Sequence, residues 1–311
     1  MKPPLLPLLL LAACAGPESA PGQSPPSALP VPDLATATRD DFVERLSERM
    51  AATDREQTPE LMNSLEQLMP AWESEQRDNR ARPIENMISI KVITHFDQVL
   101  ESFQSGDRNR RLVAAWALGF SRVPDNSRGI VSPHARAVDA LVAGLDERDD
   151  ELLRNELLAL WKLGDPKVPI APLLDLLVQH HDAEVRSSAA LALQTVLTAQ
   201  TAPLASDAVQ VALTDADAKV RLHATSIARR FPQPATTARI QGLLAGETSP
   251  LVRANMAQAL GAAGARPAGA QLVGMLRSPQ KIESTSARQA LAQLYGVDRG
   301  ADPAAWSDLV R

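Results

Sequence analysis

The sequence predicts an all-α protein, a solenoid of stacked antiparallel two-helix units closed by a helical cap at each end. Three observations lead there: few aromatic residues beside abundant Ala, Leu and Val, a short charged segment recurring along the second half, and an apolar stripe at helical offsets behind each copy. The 45% hydrophobic content is that of a folded globular chain, which excludes wholesale disorder. With one Tyr, five Phe and four Trp the core cannot rest on large rings, and the small and straight-chain apolar residues suit close helix packing better than a sheet. A formal net charge of -5 argues against a general phosphate-backbone binder, so no nucleic-acid partner is expected.

The chain opens with Lys2, an apolar run from Leu5 to Ala13, and small residues around Cys14, the layout of a secretory signal peptide over 1–13. The run is too short to span a bilayer, and a lone cysteine makes no internal disulfide. Leu11-Ala12-Ala13-Cys14 resembles the lipobox of bacterial lipoproteins. That resemblance implies cleavage before Cys14, lipidation of Cys14 and a membrane anchor in the bacterial cell envelope, with Ala15 suggesting the outer membrane, facing the periplasm or the cell surface. Residues 14–32 are dense in Pro, Ser, Ala and Gly without apolar periodicity, and read as a semi-extended tether. Residues 33–82 read as an amino-terminal helical cap, with Phe42, Leu46 and Met50 on one face and Leu61, Leu65 and Leu68 on another.

The repeats occupy 83–298, about six of them. The marker Asp-x-x-Val-Arg is clearest at Asp182 to Arg186 and returns at Asp217–Arg221, Asp150–Arg154, Asp107–Arg111, Ser249–Arg253 and, degenerate, Gln280–Ser284. Three, six and seven residues past each Arg lie apolar residues such as Ala189, Ala192 and Leu193, one stripe of a helix. The Asp or Ser caps the amino end, and Gly119, Gly164, Gly261 and Gly296 are expected to supply the left-handed residue at the carboxyl end. Between the marked helices lie first helices at Pro133–Leu145, Val168–Gln179, Ala202–Leu213, Pro234–Leu244 and Ala268–Leu276. One longer step in the period falls at Phe120 to Ser132, read as a loop. Residues 299–311 form a last capping helix, opened by Asp302-Pro303 and carrying Trp306.

From about Asn86 to Tyr295 the chain resembles the HEAT-repeat family, and more closely the short HEAT-like subtype of phycobilin lyases. The resemblance implies an α-solenoid in which Asp107, Asp150, Asp182 and Asp217 with Arg111, Arg154, Arg186, Arg221 and Arg253 form a structural ladder between repeats. A di-iron group among HEAT-like proteins uses His-Glu pairs, and none of His95, His134, His180, His181 or His223 is followed by Glu. His180, His181 and Asp182 tempt a metal assignment, but adjacent helical residues face different ways. No metal, cofactor or catalytic residue is expected: the chain has no phosphate-binding glycine loop, no nucleophile elbow and no paired cysteines.

What remains is surface. One, five and eight residues past each Arg lie Leu112, Trp116, Asn155, Lys162, Ser187, Leu191, Gln194, Leu222, Ser226, Arg229 and Gln258, a column poor in charge and expected on the concave face as a protein-binding patch. Cover of Leu112 and Trp116 by the amino-terminal cap is the competing placement. The expected function is a non-catalytic, membrane-anchored scaffold or adaptor for a protein or peptide partner. The alternatives are an enzyme or enzyme subunit, chromophore-lyase-like or protein-modifying, working in a groove between repeats, and a structural spacer in an envelope complex.

Overall fold

The computed structural model describes residues 58–77, 81–125 and 130–310, all within a compact unit spanning 39–311. Cys14, the tether over 14–32, and Phe42, Leu46 and Met50 lie outside the described residues. No described helix is long and apolar enough to cross a membrane.

The fold is an α-solenoid. Helices α1 (Thr58–Arg77) and α2 (Arg82–Thr94) form the start, and six antiparallel pairs follow. These are α3 (Phe96–Ser105) with α4 (Arg108–Leu118), α5 (Ala135–Ala143) with α6 (Asp150–Leu163), and α7 (Ile170–Gln179) with α8 (Ala183–Val196). Next come α9 (Ser206–Ala212, preceded by a 3-10 turn at Ala202–Ala205) with α10 (Ala218–Arg230), and α11 (Pro234–Leu243) with α12 (Pro250–Ala262). The last pair is α13 (Gly269–Met275), preceded by a 3-10 turn at Arg266–Ala268, with α14 (Lys281–Tyr295). Second helices of consecutive pairs pack closely on one another, whereas first helices touch more lightly, so the second helices form the inner row.

Each second helix but the last starts at a side-chain cap. Asp182 Oδ1 accepts from the N–H groups of Glu184 and Val185 at 2.7 and 3.0 Å, and Asp217 accepts from Lys219 and Val220 at 2.8 and 3.2 Å. Asp107 caps α4, and Ser249 caps α12. At α6 the cap is Asp149, not Asp150: Asp149 Oδ1 takes the N–H groups of Glu151 and Leu152. With two aspartates side by side, the expected frame there slips by one residue.

The glycines divide by role. Gly164 and Gly296 end their helices at φ 60° and 72°, as expected. Gly119 and Gly261 do not: Gly119 has φ −59° and Gly261 lies inside α12. A Cβ on Gly119 would stand 2.9 Å from the Cα of Ala159, and one on Gly261 2.8 Å from the Cα of Ala290. Both sit twelve residues after their caps and let neighbouring inner-row backbones meet. Gly264, at φ 67°, supplies the left-handed turn after α12.

The longer step in the period is not a plain loop. Arg122–Asp125 and Ile130–Pro133 pair as an antiparallel ribbon, Arg122 opposite Pro133, with Val123, Ile130 and Val131 supplying β-branched residues. At the far end, Asp302 caps a 3-10 turn, Pro303–Trp306, rather than a full helix. Trp306 is fully buried and its indole N–H donates to Gly300 O at 3.1 Å, closing the last pair.

Candidate binding surface on the inner row

The ladder between repeats is built from arginines four residues after a cap and acids two residues before the next. Arg186 grips Asp215 with two N–H donors at 2.8 and 3.0 Å, and Arg221 grips Glu247 with two at 2.8 Å. Arg111 pairs with Glu147. The acids also hold the next cap: Asp217 N–H donates to Asp215 and Ser249 N–H to Glu247, both at 2.8 Å. Burial opposes the charge on Asp215 and Glu247, but the guanidinium beside each and the backbone N–H groups that each carboxylate accepts together outweigh it and hold the carboxyl below the ordinary range. Asp107, Asp182 and Asp217 are therefore caps, and the acids that bond the arginines directly are Glu147, Asp215 and Glu247. Each precedes an Asp or Ser cap by two residues, a spacing that the sequence carries but the Asp-x-x-Val-Arg marker does not include. Arg253 reaches Glu283 of α14 at 3.5 Å, because Ser278 stands where the acid would be.

The one-residue slip at Asp149 breaks this ladder. Leu153, buried, takes the arginine's place and His180 takes the acid's. Arg154 is not a rung: its Nε is buried without a hydrogen-bond partner, and its charge acts on Asp182. A different link replaces the rung, with the Asp150 carboxylate 3.0 Å from His181 Nε2 and 3.7 Å from His180 Nε2. The adjacent histidines do converge, since the helix ends at Gln179 and His180 is extended. Yet His180 Nδ1 accepts the Asp182 N–H at 3.2 Å, which places the ring proton on Nε2, the atom a metal would need bare. The ligand atoms of Asp150, His180 and His181 lie within 4.8 Å of one another, but His180 turns Nε2–H rather than a lone pair toward the carboxylate.

The slip has a second consequence. Seven residues after each cap the inner helices carry Ala114, Ala189, Ala224, Met256 or Ala287, and α6 carries Glu156. Its side chain is fully buried, both oxygens lack a partner, and both stand 2.7 Å from where a Cβ on Gly144 would be. Gly144 occupies the place held by Leu177, Ala212, Leu244 and Met275 in the four pairs that follow, five residues before the cap. The long side chain of one helix fills the hole left by the other. Burial, with help from Glu147 and Asp146 and against Arg111, pushes the Glu156 carboxyl up to about 8.

The proposed binding column turns out to be mostly seam. Trp116 is buried against Trp72 of α1 and Phe120, with ring centroids 5.8 and 5.0 Å away, and Leu112 packs on the core, so neither offers a docking surface. The cap does cover Trp116. Asn155 and Ser187 are buried, and Asn155 Nδ2 donates to Leu112 O at 3.0 Å, so they too are withdrawn from any partner. Leu222 packs on the core, and Ser226 bonds Leu222 O and Asn255. Gln194 meets His223, and Arg229 bonds Gln258, which in turn bonds Ser286. These polar pairs stitch successive inner helices. Leu191, half-buried and outside the packed core, is the apolar member left on the surface.

Lys162 has a clamp role that the column did not suggest. Its ammonium pairs with Glu85 of α2 and lies 5.5 Å from the Trp72 ring and 5.1 Å from the Phe120 ring, while the Trp72 indole N–H donates to Glu85 at 3.1 Å. Burial works against the Glu85 charge, but the bonds from Lys162 and Trp72 prevail and hold its carboxyl below the usual range. Beside this clamp opens a pocket of about 370 Å³ lined by Arg122, Trp161, Lys162, Gly164, Thr195 and Arg230. It lies where α6, α8 and α10 end. Arg122 donates to Leu163 O at 2.6 Å, Arg230 donates to Gln194 O, and Thr195 Oγ donates to Trp161 O at 3.0 Å. The cations thus neutralise the carbonyl-rich ends of the helices. The lining holds three cationic side chains and no acid.

Residues 205–292 match a family model described as HEAT repeats. No curated protein matches the chain in sequence. Among solved structures, an engineered protein from the Northeast Structural Genomics Consortium is similar with a TM-score of 0.52 at 22% identity, over 64% of this chain and 96% of that one. A second engineered protein from the same consortium gives 0.50 at 21%, over 81% and 78%. Kap121p gives 0.50 at 14%, where 86% of this chain covers 32% of that one. These likenesses show the fold, an α-solenoid, with the HEAT-repeat match confined to 205–292.

Proposed function

We propose that the protein is a non-catalytic interaction scaffold, anchored to a bacterial envelope membrane through Cys14 and engaging a protein or peptide on the inner row of its solenoid. The observation that carries the binding half is the open cationic pocket beside Trp161, set on an inner row whose remaining polar side chains are mostly committed to one another. The pocket lining presents no nucleophile paired with a base, since the Thr195 hydroxyl is spent on a backbone carbonyl. Repeats clamped by the bidentate Arg186–Asp215 and Arg221–Glu247 rungs suit such a role, because a partner meets a preformed surface. The anchoring half rests on the lipobox-like Leu11-Ala12-Ala13-Cys14 and the Pro-rich stretch that follows.

Crosslinking in intact cells, with identification of the bound proteins, tests the scaffold. Leu191→Glu is expected to retain the wild-type melting curve and to lose crosslinked partners, and an unchanged partner set overturns the inner-row assignment. Mass spectrometry of the mature amino terminus tests the anchor. An acylated Cys14 is expected, and an unmodified one removes that half of the proposal.

A further inference from the structure

We propose that the pocket between the ends of α6, α8 and α10 is the docking point for an acidic peptide segment of the partner, its carboxylates taken by Arg122 and Arg230 and an apolar side chain resting on Trp161. This deepens the scaffold reading and rests on it.

The chain as a whole carries a net charge of -5, yet this lining gathers three cations and no carboxylate. Lys162 is half-buried and answered by Glu85 in its clamp. Arg122 and Arg230 differ: each bonds a backbone carbonyl, and among the described residues neither forms an ion pair with an acid. A guanidinium has five N–H donors, so one bond to a carbonyl holds the group in place and leaves the others for a ligand. The carbonyls it covers are the ones that would otherwise repel an anion. Gly164 leaves room beside the Arg122 guanidinium. A Cβ there would stand 3.4 Å from the Thr195 side chain and 3.6 Å from the Arg122 guanidinium, and its φ of 60° disfavours any side chain.

The same placement lacks the backbone donors that favour a compact phosphate. Compact phosphates are held by free backbone N–H groups at helix amino ends, and this pocket lies at carboxyl ends, where those donors are consumed inside the helices. Planar guanidinium forks match carboxylates and phosphates alike, so the missing backbone donors and the apolar rest are what weigh toward a carboxylate-bearing peptide. The volume, near the lower end of that seen for organic ligands, exceeds what one small anion fills, and the indole of Trp161 gives the peptide an apolar rest.

Fluorescence anisotropy of the full chain tests this with two labelled peptides, one alternating Glu and Leu and its twin with Gln for every Glu. The acidic peptide is expected to bind, more weakly as salt rises, and the Gln twin at least about tenfold more weakly. Arg122→Gln and Arg230→Gln should each weaken the acidic peptide about tenfold, whereas Arg288→Gln, far along the stack and paired with Asp298, should leave it unchanged. Circular dichroism checks folding. Should a Gln variant unfold, Arg122→Lys and Arg230→Lys, which keep the charge and lose the fork, are expected to weaken binding several-fold. Equal binding of the two peptides, wild-type affinity in the arginine variants, or displacement of the peptide by an equal concentration of inorganic phosphate overturns the proposal. If Leu191→Glu loses its crosslinked partners while the acidic peptide ignores both arginines, the scaffold stands and this pocket assignment falls.

Discussion

Replacing Glu156 by Gln should make the protein more stable at neutral pH and flatten its pH dependence. The carboxyl is fully buried, makes no hydrogen bond, and lies against Gly144 at the carboxyl end of α5, where the helix dipole opposes a negative charge. Glu147 and Asp146 add repulsion and Arg111 relieves part of it, leaving the folded-state group at about 8 against an ordinary 4.5. A folded state that binds the proton more tightly than the unfolded chain loses stability as pH rises between those two values. The loss is up to about 1.4 kcal/mol per pH unit, or on the order of 2–3 kcal/mol between pH 5 and pH 7. An amide at this position cannot ionise, so the variant lacks this loss. Urea unfolding of both proteins across that range isolates the effect, because contributions shared by the two cancel in the difference. The ladder carboxylates titrate below the window in any case: Asp215 and Glu247 are held under the ordinary range, so their stabilisation is present at neutral pH and is lost as acid protonates them. A stability difference between Glu156→Gln and wild type that stays constant from pH 5 to pH 8 would refute the reasoning.

Four further outcomes are expected. Gly144→Ala alone drives a Cβ into the Glu156 carboxyl and should cost about 1–3 kcal/mol, whereas with Glu156→Ala the same change should cost far less, a coupling that a double-mutant cycle of urea midpoints reads. Arg221→Met strands Glu247, whose side chain is only 4% exposed, and should cost on the order of 3–5 kcal/mol; adding Glu247→Leu should recover most of it in the same unfolding assay. Lys162→Met removes the charge that holds Glu85 and Trp72 together, and should raise amide exchange in α1 and α2 while leaving α12 to α14 protected. Gly261→Ala meets the Ala290 backbone and should lower the melting temperature by several degrees, with Gly242→Ala, whose added methyl meets nothing, as the benign control.

The caps and the stripe were legible because both are local. An Asp before a helix binds N–H groups two and three residues on, and an apolar residue at helical spacing faces the core whatever lies opposite. Asp182, Asp217 and Ser249 behave accordingly. Legibility failed where two local solutions were equivalent. Asp149 and Asp150 are both adequate caps, and reading the second displaced the whole frame of α6, hiding Glu156 in the stripe and giving Arg154 a rung it does not fill. Gly119 and Gly261 look like helix terminators in sequence, and only the approach of Ala159 and Ala290 reveals that they admit a neighbouring backbone.

The pocket was less legible still. Lys162 was marked by its offset, but Arg122 comes from the ribbon, Thr195 and Arg230 from two other repeats, and nothing along the chain brings them together. Conversely, the column is poor in charge because it is the seam between inner helices, where Asn155, Gln194 and Gln258 bond groups of the adjacent inner helix.

By itself the sequence determined the helical class, the period, the caps and the direction of the apolar stripe, since each follows from forces acting within one or two turns of helix. The tertiary structure decided which side chains remain free. Stacking sets the distance between inner helices, and that distance turns most of the expected binding surface into inter-repeat hydrogen bonds, buries Trp116 under α1, and leaves two arginines without acids around an open pocket.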